Sequence, residues 1–314
     1  MSALESLIAS SGEAPIHSAL DFTLPSSSTA VTDRKQHCRA YPSSASTLSI
    51  TGTRTLKIRL GGDDFVDPAS IRVLMTISNL DGTKALKPLT GPWGAWQQVF
   101  LRSGGVELDN IPYYNRFHQQ FGWNHLTQQE QFGQAAIEGM HTAINLFGQP
   151  VAGQLPFGKS FTCMHKLHLS LLSSGKLLPT RYAPLEIELS LITTASDWLN
   201  LSDTSTSTSN FSISDVQLLY DAYTLDESVQ NSFYSALLRN QVLSIPVINA
   251  YQVVQSIPAG ATSYSFTTVR AFSRLSQIWL TFRGTGSMAT EFISPGDLPG
   301  DGSAVLQDTT LPQA

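Results

Sequence analysis

Glu186 and Glu188, separated only by Ile187, are the residues whose types and spacing most directly suggest chemistry. Alternate residues of a strand share a face, and two carboxylates on one face could act as the acid and base of a glycosidase. The surrounding run argues for something plainer. Leu185, Ile187, Leu189 and Leu191 alternate with Glu186, Glu188 and Ser190, as expected of a strand with one buried face and one solvated polar stripe. Asp63, Asp64 and Asp67 form a second acidic group. Three carboxylates in a turn could hold calcium, but the spacing is not that of an EF-hand loop, and acidic turns are common. The seven histidines are scattered. His165 and His168 fall on opposite faces of a strand read over Phe161–Leu172, which keeps them from ligating one metal. The only cysteines, Cys38 and Cys163, make neither a CxxC nor a disulfide framework, so two reduced thiols are expected. No GxSxG, HExxH, Walker loop or dinucleotide fingerprint occurs. No residue is therefore assigned to catalysis, cofactor binding or metal binding, and the chain is not expected to be an enzyme.

The elements around these residues are mainly β. Alternation or β-rich composition marks Ala19–Pro25, Leu48–Leu60, Ile71–Leu80, Trp96–Ile111, Phe161–Leu172, Leu185–Thr193 and Phe211–Leu225, with Leu177–Tyr182 as a short addition. Ser26–Ser46 reads as a long Ser-rich connection holding Arg34, Lys35, His37, Cys38 and Arg39. Helices are expected over Met1–Ser11, Tyr113–Phe121 and Thr127–Gly139. A further helix begins at Asp226, where Val229, Phe233 and Leu237 recur every fourth residue. Ser202–Ser209 is a polar loop. About eight strands before the Asp226 helix is the jelly-roll number, and irregular helix spacing disfavours a parallel α/β fold.

The most informative stretch is Leu89–Tyr114. Gly91-Pro92 makes a turn, and a strand follows with Trp96, Phe100 and Arg102 on one face and Val99 and Leu101 on the other. Apolar residues on both faces suggest a strand covered on both sides. Ser103-Gly104-Gly105 is read as a kink or bulge, after which Val106, Leu108 and Asn110 resume the alternation until Ile111-Pro112. Tyr113, Tyr114, Phe117, Phe121 and Trp123 then cluster on a helix. The candidate structural and assembly residues are Trp93, Trp96, Gly104, Gly105, Tyr113, Tyr114 and Arg116.

The run QVFLRSGGVELDNIPYYNRFHQQF resembles a segment of double jelly-roll major capsid proteins from small and medium DNA viruses of eukaryotes, the adenovirus-related lineage and its polinton-like type. Gly104, Gly105, Val106, Glu107, Asp109, Ile111, Tyr114, Asn115, Arg116 and His118 occupy the matching places. Ala236-Leu237-Leu238 followed by Leu243-Ser244-Ile245-Pro246 resembles the passage between the two rolls, and Phe266–Phe282 is also similar. The resemblance implies a jelly-roll β-sandwich with helical insertions, followed by a second jelly roll. The corresponding division is an N-terminal segment at 1–18, a first roll at 19–225, a linker helix at 226–241 and the start of a second roll at 242–314. That second roll looks incomplete. Only the candidates Val242–Ile257, Tyr264–Val269 and Ser273–Phe282 follow the linker, and Gly284–Ala314 is rich in Gly, Pro and Ser. Either the chain is truncated or another chain completes the barrel.

Composition agrees with an assembling protein. Charged residues are only 14% of 314, against roughly 25% in ordinary globular chains, so much of the surface lacks charge. A net charge of −5 argues against a chain-wide nucleic-acid footprint, and the basic N-terminal arm of many genome-packing capsid proteins is missing. No apolar run approaches a membrane span and no signal-peptide core is present, so a protein soluble when made inside the cell is expected. The resemblance implies a homotrimer contacting neighbouring capsomers and penton or minor capsid proteins. It also implies no sequence-specific nucleic acid, a virion location, and an N-terminal segment beneath the shell. The alternative is a non-viral β-sandwich that binds glycans or a protein partner, which would expose an aromatic platform in a groove.

Overall fold

The structure is a computed structural model that describes residues 31–44, 46–88, 90–125, 141–144, 150–152, 154–201 and 204–239, with isolated positions from 245 to 278. Two compact units span Met1–Asp33 with Leu225–Val242, and Arg34–Thr224 with Leu243–Ala314. The expected strand Ala19–Pro25 and helices Met1–Ser11 and Thr127–Gly139 lie outside the described residues. So do the three late strand candidates, apart from isolated positions, and the tail.

Alternating burial builds the second unit. In β5 (Arg72–Asn79) Val73, Met75, Ile77 and Asn79 point inward, and in β11 (Leu185–Leu191) Leu185, Ile187, Leu189 and Leu191 do. β3 (Thr55–Leu60) adds Leu56, Ile58 and Leu60. Each of the apolar side chains among these contributes about 1.5–3 kcal/mol on burial. The other long strands are β1 (Val31–Ala40), β6 (Trp96–Ser103), β7 (Val106–Pro112), β10 (Ser160–Lys166) and β12 (Phe211–Leu225). The two-residue strands β2 (Thr47–Leu48) and β4 (Phe65–Val66) pair with β12, and β8 (His141–Ile144) pairs with β9 (Pro150–Ala152).

The long strands make two antiparallel sheets, ordered β1-β12-β5-β10 and β3-β11-β6-β7. Their pairings are nested: β1 with β12, β3 with β11, β5 with β10, β6 with β7. That is one long antiparallel hairpin rolled up, closed into sheets by β12 on β5 and β11 on β6. The fold is a jelly-roll β-sandwich. Because successive strands run in opposite directions, β1, β5, β7 and β11 all end at one end of the roll. The short hairpin at Gly104-Gly105 lies at the other. Ile245 and Ala250 pack against the same core.

Several local expectations are corrected. Ser26–Ser46 is not all connection, because β1 runs through Arg34, Lys35, His37, Cys38 and Arg39. Its side chains are mostly exposed, and pairing with β12 and ion pairs hold it instead: Arg34 to Asp221 at 2.8 Å and Lys35 to Asp64 at 2.6 Å. Leu48–Leu60 is broken between β2 and β3. Leu177–Tyr182 contributes an isolated bridge from Leu178 to Val66 rather than a strand. Strand β10 stops at Lys166, short of Leu172. In the other unit, α2 (Glu227–Leu238) starts as expected, with the Asp226 carboxylate accepting from the Ser228 N–H, and Val229, Phe233 and Leu237 are half-buried.

Candidate functional site

The expected site residues separate into a buried cluster, a half-exposed pair and an exposed hairpin. The cluster begins where Gly91-Pro92 starts a short 3-10 turn, Pro92–Ala95, that delivers Trp93 and then Trp96 into the core. Trp96 and Phe100 do not share a face, contrary to simple alternation. A register shift pairs Gln98 with Ser190 but Trp96 with Leu191, and this bulge turns Trp96 inward with Val99 and Leu101. Phe100 and Arg102 lie on the outer face, with the Arg102 guanidinium 4.7 Å from the Phe100 ring centroid. The strand is covered fully on one face only.

Helix α1 (Tyr114–His125) brings Tyr114 and His118 to the same place. Trp93 stacks on His118 with centroids 4.3 Å apart, and His118 lies 4.6 Å from the His168 ring. The Tyr114 hydroxyl accepts the His168 backbone N–H at 2.9 Å. His118 Nε2 lies 3.3 Å from the Lys166 carbonyl, which can only accept, so that nitrogen carries the proton. Trp96 Nε1 donates to His165 Nε2 at 3.0 Å, which places the neutral ring's proton on Nδ1. Nδ1 is buried without a hydrogen-bond partner. Burial, reinforced by His168 and Arg72, pushes His165 down to about 3. The expected separation of His165 and His168 thus fails in outcome: the strand ends at Lys166, and both rings finish inside. Parity along the strand did place His165 on the Cys163 and Leu167 face. That was the available signal for its burial; nothing local announced His118 beside it.

Among the described residues no group of three His, Cys, Asp or Glu side chains is placed to hold a metal. Asp64 illustrates why. Burial pushes its carboxyl up, but hydrogen bonds from Lys35 and Thr224 outweigh this and hold it below its ordinary value. Asp67 caps a 3-10 turn through the Ala69 N–H, and the Asp63 side chain is almost wholly exposed. Glu186 and Glu188 form the polar stripe that alternation indicated. Arg59, hydrogen-bonded at 3.0 Å, holds Glu186 below the usual carboxylate range, while Lys57 and Arg102 pair with Glu188.

Gly104 and Gly105 are the two-residue loop of a hairpin, with φ of 56° and 85°, rather than a kink in a continuous strand. Two positive φ values in a row are the geometry of the turn that matches strand twist. A register shift follows, with Leu101 opposite Asp109 and Arg102 opposite Glu107. Asp109 and Ile111 therefore face inward, and Asp109 accepts the Ser170 N–H at 2.9 Å. Val106 and Leu108 are 64% and 38% exposed on β7, the outer strand of its sheet. Tyr113 also has positive φ, 54°, and the Arg116 guanidinium lies 4.8 Å from its ring centroid.

No family model matches the chain, and no curated protein matches it in sequence. Among solved structures it is similar to a quasi-atomic model of the PBCV-1 virus capsid, with 13% identity and a TM-score of 0.42, covering 64% of this chain and 44% of that one. A Sputnik virophage structure gives 10% identity and 0.42, covering 68% and 53%. The Faustovirus major capsid protein gives 9% and 0.39, covering 74% and 62%. The chain thus spans less than two thirds of the length of each of these structures.

Proposed function

We propose that the chain is a major capsid protein whose work is assembly rather than catalysis. The observation that carries this reading is the nested jelly roll, together with where the capsid-like sequence falls within it. Gly104 through His118 form one continuous piece: hairpin loop, outer strand β7 and the start of α1. That piece pairs a strand edge left open among the described residues, carrying exposed Val106 and Leu108, with an interior locked by Asp109, Tyr114 and His118. An open strand edge with apolar side chains is a template for another chain, while the buried half keeps its shape. Trp93, Trp96 and Tyr114 would act on assembly through that shape; Gly104, Gly105, Tyr113 and Arg116 lie nearer the surface.

In this reading a first roll at 19–225 is joined by the linker at 226–241 to a second that begins at 242. Three subunits then make a pseudo-hexagonal capsomer, which tiles an icosahedral virion with its neighbours and with penton or minor capsid proteins. No sequence-specific nucleic acid is required, and the N-terminal segment lies beneath the shell. Burial of weakly charged surface drives assembly, on the order of 2,000–5,000 Å² per obligate interface. Size-exclusion chromatography with light scattering tests the trimer, and electron microscopy its six-sided outline. A monodisperse monomer at micromolar concentration refutes the reading.

A further inference from the structure

We propose that the cleft beside Tyr41 binds a neutral saccharide. The cleft has a volume of about 340 Å³ and is lined by Tyr41, Ser43, Ser44, Ser46, Asp215 and Gln217, among others. That is the size of a small-ligand pocket, at the low end of roughly 300–1,000 Å³. It lies at the end of the roll where the chain leaves β1 at Ala40. The proposal does not depend on the capsid reading.

Two features of the fold build the cleft. Tyr41 follows the last, buried residue of β1 and is itself 62% exposed, so its ring is presented to solvent instead of to the core. Across from it β12 carries a bulge. Its register with β5 shifts between Ser214 and Gln217, and Asp215 sits at φ 53°. The bulge keeps both Ile213 and Val216 buried while Asp215 turns outward, the re-aiming that bulges commonly perform.

The polar groups are already oriented. Gln217 Oε1 accepts from Arg39 Nη1 at 3.5 Å, which leaves the amide NH2 as a donor. Asp215 Oδ2 takes the Ser214 hydroxyl at 3.3 Å, leaving Oδ1 as an acceptor. Ser44 Oγ accepts the Lys57 N–H at 3.4 Å, so its own O–H remains to donate. A pyranose has an apolar C–H face for the tyrosine ring and hydroxyls that both donate and accept, which suits this mixture. An anionic ligand would meet the Asp215 carboxylate, the only charged side chain among the described residues lining the cleft. A quaternary ammonium would find one ring rather than a cage, and would leave the hydroxyl and amide donors unused.

The test is saturation-transfer NMR on the full chain with the methyl glycosides of glucose, galactose, mannose and N-acetylglucosamine. At least one should bind saturably in the millimolar range. Tyr41→Ala and Asp215→Asn should each weaken it by about tenfold or more, with melting temperatures unchanged. Titrated amide shifts should move at Ser43, Ser44 and Gln217, a readout that stands even if a variant loses its fold. The proposal is overturned if none of the four saturates, if the shifts lie elsewhere, or if folded variants bind as well as the parent. Preference for sialyllactose or tetramethylammonium over every neutral glycoside overturns it too.

Discussion

Mild acidification should destabilise this protein, and His165 should contribute a measurable share of the loss. The ring is fully buried, accepts from Trp96 and has its pKa pushed down to about 3, with burial the main cause. The unfolded chain takes up this proton near the ordinary 6.5, whereas the folded chain does not until about 3. The folded pKa lies below the unfolded one, so the stabilisation is complete above 6.5 and is lost as pH falls toward 3. The slope is about 1.4 kcal/mol per pH unit, or about 2 kcal/mol between pH 6.5 and about pH 5. The carboxylates of Asp64, Asp221 and Glu186 are held below their ordinary values and contribute only at lower pH. Urea unfolding at about pH 7 and about pH 5 measures the loss. His165→Gln keeps an acceptor for Trp96 Nε1 and removes the ionisation, so its curve should be flatter by the stated amount. Equal slopes in parent and variant would refute the assignment, and no slope in the parent would refute the buried neutral ring.

Gly104→Val and Gly105→Val should each destabilise by about 1–2 kcal/mol through backbone strain alone, because a Cβ at either site meets nothing within 4 Å. Gly104→Asn should cost less, which thermal melts of the three variants check. Gly94→Ala works the opposite way: its Cβ would strike Thr90 Oγ1 and the buried Trp198 ring. It should cost about 1–3 kcal/mol by overpacking, read as a lower denaturation midpoint at unchanged m-value. Glu186→Gln, by contrast, should change stability by less than about 1 kcal/mol in denaturant unfolding, since its partner Arg59 is largely exposed.

Much of the roll is legible in the sequence because its inner faces are apolar and strictly alternating. β5, β11 and most of β12 can be read directly, since Val73, Ile187 or Leu218 must face inward if either neighbour faces out. β1 is illegible for the same reason inverted. Its exposed Arg34, Lys35, His37 and Arg39 give no period, because the strand is held by backbone pairing and by Asp221 and Asp64, distant in sequence. Bulges hide the rest. Each inserts one residue and reverses parity, which is why simple alternation puts Trp96 on the Phe100 face and why Glu107 and Asp109, two apart, do not share one.

Those same bulges link fold to proposed function. At Trp96 the extra residue carries an indole inward to His165; near Leu108 it leaves apolar side chains on an outer strand; at Asp215 it turns a carboxylate into the cleft beside Tyr41. A regular ladder would bury every second residue and leave the outer face uniform. The three slips are what make the surface of this roll non-uniform, and the contacts proposed for it rest on two of them. Removing the extra residue at Asp215 would restore the register of β12, and with it the uniform ladder would lose the cleft while keeping Ile213 and Leu218 as core.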